Sequence, residues 1–324
     1  MMTAEATQGV PRVSVCLPTR DRGGTIAATL ESLRRLEHDS FEVLVVDQSS
    51  DDRSRRAYDE TVGDDRRFSY LPSQTVGKST ACNLALGRVR GAIVAFTDDD
   101  CVVPRDWLAG MERALSQNPG VAVICGGLRP GLSLETGFIP WYVPPRPRLH
   151  RSRWALVWCA GANLIVRTGA LRDVSGFDEV LGPGAPLKAG EEADLVYRLL
   201  RAGHPVLELP EPSVIHYGLR PWGNEARELL HGYAMSWGAG WMKHLRLGDP
   251  AVVPSLFASW FGVVTWRNLV RLRRPNGLRN FVAFAGGMLA SFRYPIDRAS
   301  RTYVGRPTSS VGAPTRDAVG PPAL

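Results

Sequence analysis

The chain has 324 residues, enough for one large domain or a domain with an appendage. Hydrophobic residues at 44% and charged residues at 22% are ordinary globular usage, which excludes a wholly disordered chain, a collagen-like repeat and a disulfide scaffold. The net charge of +7 is unevenly placed: residues 220–305 hold 12 Lys/Arg against 4 Asp/Glu, and the rest is close to neutral. Such a basic segment suits an anionic membrane surface, a nucleic acid or an acidic substrate.

In chain order, small residues with Pro and Gly over 1–11 predict a disordered start. Val13–Leu17 reads as a buried strand, Thr25–Leu36 as a helix with Ile26, Leu30 and Leu33 on one face, and Glu42–Val46 as a second strand. Phe68–Leu71 (strand), Ser79–Arg90 (helix), Ile93–Thr97 (strand), Trp107–Ser116 (helix) and Val121–Cys125 (strand) continue the alternation. The order predicts an α/β domain with a mostly parallel sheet covered by helices on both faces. Ligands of such sheets sit beyond the carboxyl ends of the strands. From Gly126 to Arg153, Pro, Gly, Trp and Arg dominate, which reads as an excursion across the sheet. Ala189–Ala202 returns to helix, followed by short strands at Val206–Leu209 and Ser213–His216. Glu225–Leu247 and Val253–Met288 read as helical, broken at Pro254 and Pro275–Gly277. The resulting division is 1–11 (disordered), 12–219 (the α/β domain), 220–305 (a basic, aromatic-rich helical extension) and 306–324 (a disordered tail).

Cys16, Cys82, Cys101, Cys125 and Cys159 form no CxxC pair and are odd in number, which fits a reducing compartment rather than a disulfide framework or zinc ribbon. MMTAEATQGVPR has no basic stretch followed by an apolar run, so no signal peptide is expected. The longest uncharged run of the basic third, Pro250–Trp266, contains two prolines, two serines and a glycine and falls short of a membrane span. These features predict a cytoplasmic chain, peripheral at most on the inner face of the plasma membrane.

Three loops after strands are rich in oxygen ligands: Pro18-Thr19-Arg20-Asp21, Asp47-Gln48-Ser49-Ser50-Asp51-Asp52 and Asp98-Asp99-Asp100. Adjacent like charges repel, and a divalent cation relieves that repulsion; a solvated, helix-capping loop is the plainer alternative. Asp98 and Asp100 are two apart, so in an extended chain they share a side. Gly77-Lys78-Ser79-Thr80 imitates the end of a P-loop, but Pro72 stands where that pattern needs Gly. Lys78 is then either a phosphate ligand or a solvated lysine. Gly190-Glu191-Glu192-Ala193-Asp194 opens a helix, where the helix dipole favours acids in general; a functional reading makes one of them a base. His216 ends a short strand, and a neutral imidazole there can complete a mixed O/N metal site with the aspartates.

The ordered segments VSVCLPTRDR, EVLVVDQSSDD, VGKSTACNLAL, GAIVAFTDDD, CAGANLIVR, SGFDEVLG, GEEADLVYRLL and SVIHYG together resemble family-2 glycosyltransferases of the GT-A fold over about Arg12–Tyr217. The resemblance implies a metal-dependent, inverting transfer of a sugar from a nucleotide-diphosphate sugar to a glycan or lipid-linked acceptor hydroxyl, with Mn²⁺ or Mg²⁺ as cofactor. It implies a nucleotide-sugar pocket of Pro18, Thr19, Arg20, Asp47, Gln48, Lys78, Asn83, Asp98 and Asp99. It implies metal ligation by Asp98, Asp100 and His216, and an acceptor or sugar side at Gly161, Ala162 and Asn163. Glu192 falls where the family usually has its general-base Asp, with Glu191 and Asp194 in reserve. The sequence departs from the family at Gln48 (usually Asp), Cys82 (usually Arg) and Glu192. Those departures keep a catalytically inactive sugar-nucleotide or polysaccharide-binding protein in view; a nucleotidyltransferase is a further alternative. The aromatic residues of the basic third, among them Trp222, Trp237, Trp241, Trp260, Trp266, Phe257, Phe261, Phe281 and Phe284, interleave with Arg267, Arg271, Arg273, Arg274 and Arg279. They form either an amphipathic membrane-surface element or a helical subdomain packed on the catalytic part. No nucleic-acid partner is expected, because no recognised motif accompanies the charge.

Overall fold

The structure, a computed structural model, describes residues 10–132, 137–262 and 276–305. The expected disordered ends, apart from Val10 and Pro11, and Trp266, Arg267, Arg271, Arg273 and Arg274 lie outside the described residues. Strands and helices alternate from the start: β1 (Val13–Thr19), α1 (Ile26–Arg34), β2 (Phe41–Asp47), α2 (Arg53–Val62), β3 (Phe68–Pro72), α3 (Lys78–Leu86), β4 (Ile93–Phe96), β5 (Cys101–Val102) and α4 (Trp107–Gln117). They are followed by β6 (Val123–Pro130), β7 (Gly137–Phe138), β8 (Arg148–His150), β9 (Leu164–Arg167), α5 (Thr168–Asp173), α6 (Glu191–Arg201), β10 (Val206–His216) and β11 (Arg220–Pro221). The basic extension contributes α7 (Asn224–Arg246), α8 (Val253–Phe257), α9 (Asn276–Ala290), β12 (Ile296–Asp297) and β13 (Thr302–Tyr303).

One sheet organises the molecule, in the order β3-β2-β1-β4-β9-β6-β10-β5, with β8 also paired to β10. The pairs among β3, β2, β1 and β4 are parallel, as is β6 with β10; β9 runs antiparallel between β4 and β6. The expected mostly parallel α/β sheet is therefore present, with β9 reversed inside it and β5 and β8 antiparallel to β10, none of which the alternating pattern announces. Both faces are buried, so successive side chains of a strand enter different cores. Val13, Val15, Leu17, Val43 and Val45 join the core beneath α1 and α4, whereas Cys16, Leu44 and Val46 join the core beneath α3, α5 and α6. Helix α1 buries Ile26, Leu30 and Leu33, at the helical spacing of the sequence. Helix α3 presents Ala81, Cys82 and Ala85, and these small side chains let it lie close to β1 and β2.

Two expectations are corrected in detail. Val206–Leu209 and Ser213–His216 are one strand, β10, whose register against β6 shifts between Leu209 and Val214. Pro210 and Pro212 sit in that shift, where each lacks the N–H a ladder requires. Pro254 opens α8 rather than breaking a helix, since a missing N–H costs nothing in the first turn.

The extension is fastened to the α/β part by a buried ion cluster. The Lys243 ammonium of α7, with no exposure, lies 2.6 Å from Asp178 and 2.7 Å from Asp194 of α6. Asp194 also accepts from Arg198 Nε and His244 Nε2, each at 2.8 Å. Burial pushes His244 down to about 4, so it donates as a neutral imidazole. Asp178 additionally accepts from the Tyr303 backbone N–H at 2.8 Å, which ties β13 to the same point. Around the cluster, Tyr197 of α6 packs with Ala234, Trp241, Ala283 and Phe284 of the extension. Helices α7 and α9 meet at two glycines: a Cβ at Gly238 would collide with the Phe284 carbonyl, and one at Gly287 with the Met235 carbonyl.

Replacing Lys243 by Met takes the cation from buried Asp178 and leaves Asp194 with Arg198 and the neutral His244, and breaking such a buried group costs about 3–5 kcal/mol. Urea unfolding of Lys243→Met is expected to show a loss of that size; an unchanged midpoint would mean that the cluster does not fasten the extension.

Candidate active site

The carboxyl ends of β1, β2 and β4 open into a cleft of about 790 Å³. One wall is the sheet edge, a second is the start of α6, and α7 forms the third. Pro18, Thr19, Arg20 and Gln48 line the first wall with the aspartate triplet. Thr19 Oγ1 donates to Asp99 Oδ2 at 2.7 Å. Gln48 donates its amide to Thr75 Oγ1 at 2.7 Å and its backbone N–H to the Thr19 carbonyl at 2.9 Å. Asp47 is buried behind it, accepting from the Ser49 N–H at 2.8 Å and from the Tyr70 hydroxyl.

The three aspartates have three partners. Asp98 meets the Lys78 ammonium at 2.5 Å, and Asp99 holds Thr19. Asp100 lies 3.1 Å from His216 Nε2 and 3.8 Å from Arg22 Nη1. Asp98 and Asp100 both line the cleft but take different partners and do not converge on one point. Strand β4 ends at Phe96 and the chain turns, with the Cys101 N–H donating to the Asp98 carbonyl at 3.2 Å, so strand alternation no longer applies. Burial pushes Asp99 up to about 6, only partly offset by the Thr19 hydroxyl. Burial would raise Asp100 too, but the His216 hydrogen bond and the charges of His216, Arg22 and Arg220 hold it at about 2.

His216 Nδ1 lies 3.0 Å from the Pro140 carbonyl and Nε2 3.1 Å from the Asp100 carboxylate; both oxygens can only accept, so both ring nitrogens donate. Burial alone would lower this imidazole, but Asp100 raises it, and Nε2 becomes a ligand atom only when a cation displaces its proton. Among the described residues, Asp100, Cys101 and His216 are the group whose ligand atoms converge, all within 4.8 Å of one another. Burial pushes the Cys101 thiol well up, which leaves a protonated, weak ligand. The useful donors are one carboxylate and one imidazole, a set that suits a borderline-hard divalent cation. Gly218 keeps the space beside them open: a Cβ there would lie 2.5 Å from Asp100 Oδ2 and 2.6 Å from His216 Nε2. The residues present therefore fit such an ion through Asp100 and His216. Asp98, expected as a third ligand, lies outside that converging group and pairs with Lys78.

Glu191 and Glu192 open α6 after Gly190, whose φ of +88° favours glycine. Glu191 is buried 3.7 Å from Lys78. Glu192 Oε2 is buried with no hydrogen-bond partner among the described residues. Burial, then the charge of Glu191, raises the Glu192 carboxyl well above its ordinary value, opposed by Lys78. For Lys78, burial alone would favour the neutral amine, but Asp98, Glu191 and Glu192 outweigh it and keep the ammonium. A carboxyl group with one oxygen unpartnered, poised toward neutrality in a cleft, is suited to exchanging a proton with a ligand.

Four expected site residues lie outside the cleft lining: Asp47, buried behind Gln48, and Asn83, Asn163 and Asp194. Asn83 is used up by the Phe177 backbone, donating to its carbonyl at 3.0 Å and accepting from its N–H at 2.9 Å. Asn163 accepts from Trp107 Nε1 at 2.9 Å and donates to the Gly127 and Pro212 carbonyls, so it braces the sheet behind Gly161 and Ala162, which do line the cleft. Asp194, the reserve base, belongs to the Lys243 cluster and is held ionised well below the carboxylate range by Lys243, Arg198 and His244, against its burial. The structure adds residues to which the sequence assigned no site role. Arg22 and Arg220 face the aspartates, and Trp158, Tyr233 and Trp237 form an aromatic wall. Tyr233 and Trp237 stack with ring centroids 6.2 Å apart, and Trp158 follows at 6.3 Å from Trp237. Tyr233 and Trp237 are four apart on α7, a spacing that marks one helix face, though not what it faces.

A mostly parallel sheet with an acidic turn, a later histidine and an acidic helix start around one cleft defines the GT-A class of glycosyltransferases. The model of Glycosyl transferase family 2 matches residues 14–174, and the chain belongs to that family. It is 30% identical over 236 residues to a pre-mycofactocin glycosyltransferase of Mycobacterium tuberculosis, covering 68% of this chain and 46% of that protein. The chain thus spans less than half the length of that relative. Among solved structures it resembles a mannosyltransferase of Pyrobaculum calidifontis in complex with GDP-Man and Mn²⁺, with a TM-score of 0.62 and 18% identity over 90% of this chain and 77% of that one. It also resembles TarS 1-349 of S. aureus in complex with UDP-GlcNAc, with a TM-score of 0.57 and 16% identity over 86% of this chain and 81% of that one. These likenesses establish the fold.

The raised Glu192 carboxyl is expected to stay protonated at pH values where a free glutamate is ionised, and to lose its proton only as the pH rises past the raised value. Infrared difference spectra of the chain near neutral pH should carry a protonated-carboxyl band that is absent from Glu192→Gln. The same band in both proteins would refute the assignment.

Proposed function

We propose that this chain is an inverting glycosyltransferase that moves a sugar from a nucleotide-diphosphate sugar to an acceptor hydroxyl, in the synthesis of a cell-surface glycan, polysaccharide or glycolipid. The observation that carries the reading is the convergence of Asp100, His216 and Glu192 on one cleft. The nucleotide occupies the wall of Pro18, Thr19, Arg20 and Gln48, and Asp98 and Asp99 meet the donor above Lys78. The donors bound in the two structural neighbours, GDP-Man and UDP-GlcNAc, support this class of substrate.

Asp100 and His216 hold a divalent cation, which when bound supplies Lewis-acid neutralisation of the departing diphosphate. The imidazole favours manganese over magnesium, and the Mn²⁺ of the Pyrobaculum mannosyltransferase complex agrees with that preference. Lys78, kept cationic between Asp98 and Glu191, adds a second positive charge beside the donor. Glu192 takes the proton of the acceptor hydroxyl as that oxygen attacks the anomeric carbon and the nucleotide diphosphate leaves. One displacement with one base inverts the centre. Trp158, Tyr233 and Trp237 form the acceptor side together with Gly161 and Ala162, offering flat apolar faces to a ring or chain that carries the hydroxyl.

Two experiments test the reading. Glu192→Gln should lose about 10²–10⁴-fold in turnover, the usual share of a general base, while donor titration by calorimetry stays unchanged. The acid limb of the wild-type pH–rate profile should rise as Glu192 loses its proton. Turnover near the wild-type level in Glu192→Gln would remove the base, and donor binding by the wild type without any transfer would favour the inactive-binder alternative. Gly218→Ala fills the space beside Asp100 and His216 and is expected to weaken Mn²⁺ binding by roughly 10–100-fold, the range for disturbed ligand orientation. Electron paramagnetic resonance titration measures this, and equal affinity in both proteins would remove the cation from that position.

A further inference from the structure

The extension has an exposed face that the transfer reaction does not use. On α9, Leu278, Val282 and Leu289 are 65%, 61% and 74% exposed. Their spacing of four and seven places them on one side of the helix. On its other side Ala283 and Phe284 are buried with Tyr197 and Trp241. The exposed face continues into Phe292, 62% exposed, in the turn that follows. Beside it, Phe257 and Phe261 stack with ring centroids 5.6 Å apart, and Phe261 meets Phe281 of α9 edge-on at 5.7 Å. Phe257 and Phe261 are themselves 51% and 46% exposed. The aromatic residues of the basic third are thus divided: Trp241 and Phe284 pack inward, and this pair looks out.

The segment that carries this face has charge of one sign. Pro250 to Ile296 contains six arginines and no aspartate or glutamate. Arg279 and Arg293 are exposed on α9 and just after it, and the other four lie outside the described residues. A continuous apolar strip of this kind marks an interaction site. A second copy of the chain would bring the same arginines against it across a two-fold axis, where like charges repel. An anionic bilayer offers apolar depth and negative charge in one surface. Among the described residues no helix is long and apolar enough to cross a membrane, so the contact is in the plane.

We propose that α9 and the Phe257–Phe261 pair dock the protein on the surface of a bilayer containing anionic phospholipid. The apolar side chains enter the headgroup boundary, and Arg279 and Arg293 lie at the level of the phosphates. The docking stands apart from the transfer reaction, because none of its side chains lines the cleft.

The test is flotation of the full chain with phosphatidylcholine vesicles, with and without phosphatidylglycerol. Partitioning onto the anionic vesicles is expected to be stronger by roughly tenfold or more, and to fall as salt is raised. Val282→Asp and Leu289→Asp, at exposed positions, should each lower that partitioning by roughly tenfold. Thermal melts matching the wild type would show that lost binding is not lost folding. Arg279→Glu combined with Arg293→Glu should abolish the preference for anionic vesicles. Equal partitioning on both vesicles, or full binding by Val282→Asp and Leu289→Asp, would overturn the proposal. So would light scattering showing a wild-type dimer that Val282→Asp converts to monomer, since that assigns the strip to a second copy.

Discussion

Five carboxylates crowd one edge of one sheet, and the cleft exists because each is stabilised differently. Asp98 has an ammonium, Asp99 a hydroxyl donor, and Asp100 an imidazole and two guanidinium groups; Glu191 shares the ammonium of Asp98, and Glu192 is left with its proton. The supply of cations is smaller than the supply of acids. Where the positive charge runs out, a carboxyl remains neutral, and that shortage is what separates a protonated carboxyl from an ionised one among residues of the same chemistry. Lys78 is central to this division, since it touches both Asp98 of the acidic turn and Glu191 of the helix start.

The sheet was legible because both its faces are buried. Strands covered on two sides become short apolar runs, and their polar ends, at Thr19, Asp47 and Thr97, mark the functional edge directly. Helix α2 left a fainter trace: its buried residues Ser54, Tyr58 and Val62 are spaced by four, but the helix is otherwise polar. The reversed strand β9 carries no local sign of its direction, which pairing partners distant in sequence decide.

Among the site residues, the Asp100–His216 pairing and the exceptional position of Glu192 followed from the ordered motifs. The reserve role of Asp194 conflicts with helix geometry, because residues two apart on a helix point about 200° apart and cannot both face one cleft. Its true partners are contributed by α7, from sequence too distant for any local pattern to reveal. Asn163 looks the same in sequence whether it meets a ligand or braces Trp107; only the positions of Gly127 and Pro212 decide. The aromatic wall was hidden for a similar reason, since Tyr233 and Trp237 were visible as residues of a basic, aromatic segment and not as neighbours of Glu192.

The glycine contact between α7 and α9 has a mechanical consequence. At Gly238 and Gly287 the two helices touch through main chain, with no compressible side chain between them. Helix α7 bears the stacked rings of the cleft wall on one flank and abuts α9 on another. The pair therefore moves as a stiff strut: whatever seats α9 also fixes the angle at which those rings face the cleft, and a slackened strut would change the shape of that wall before it loosened the fold.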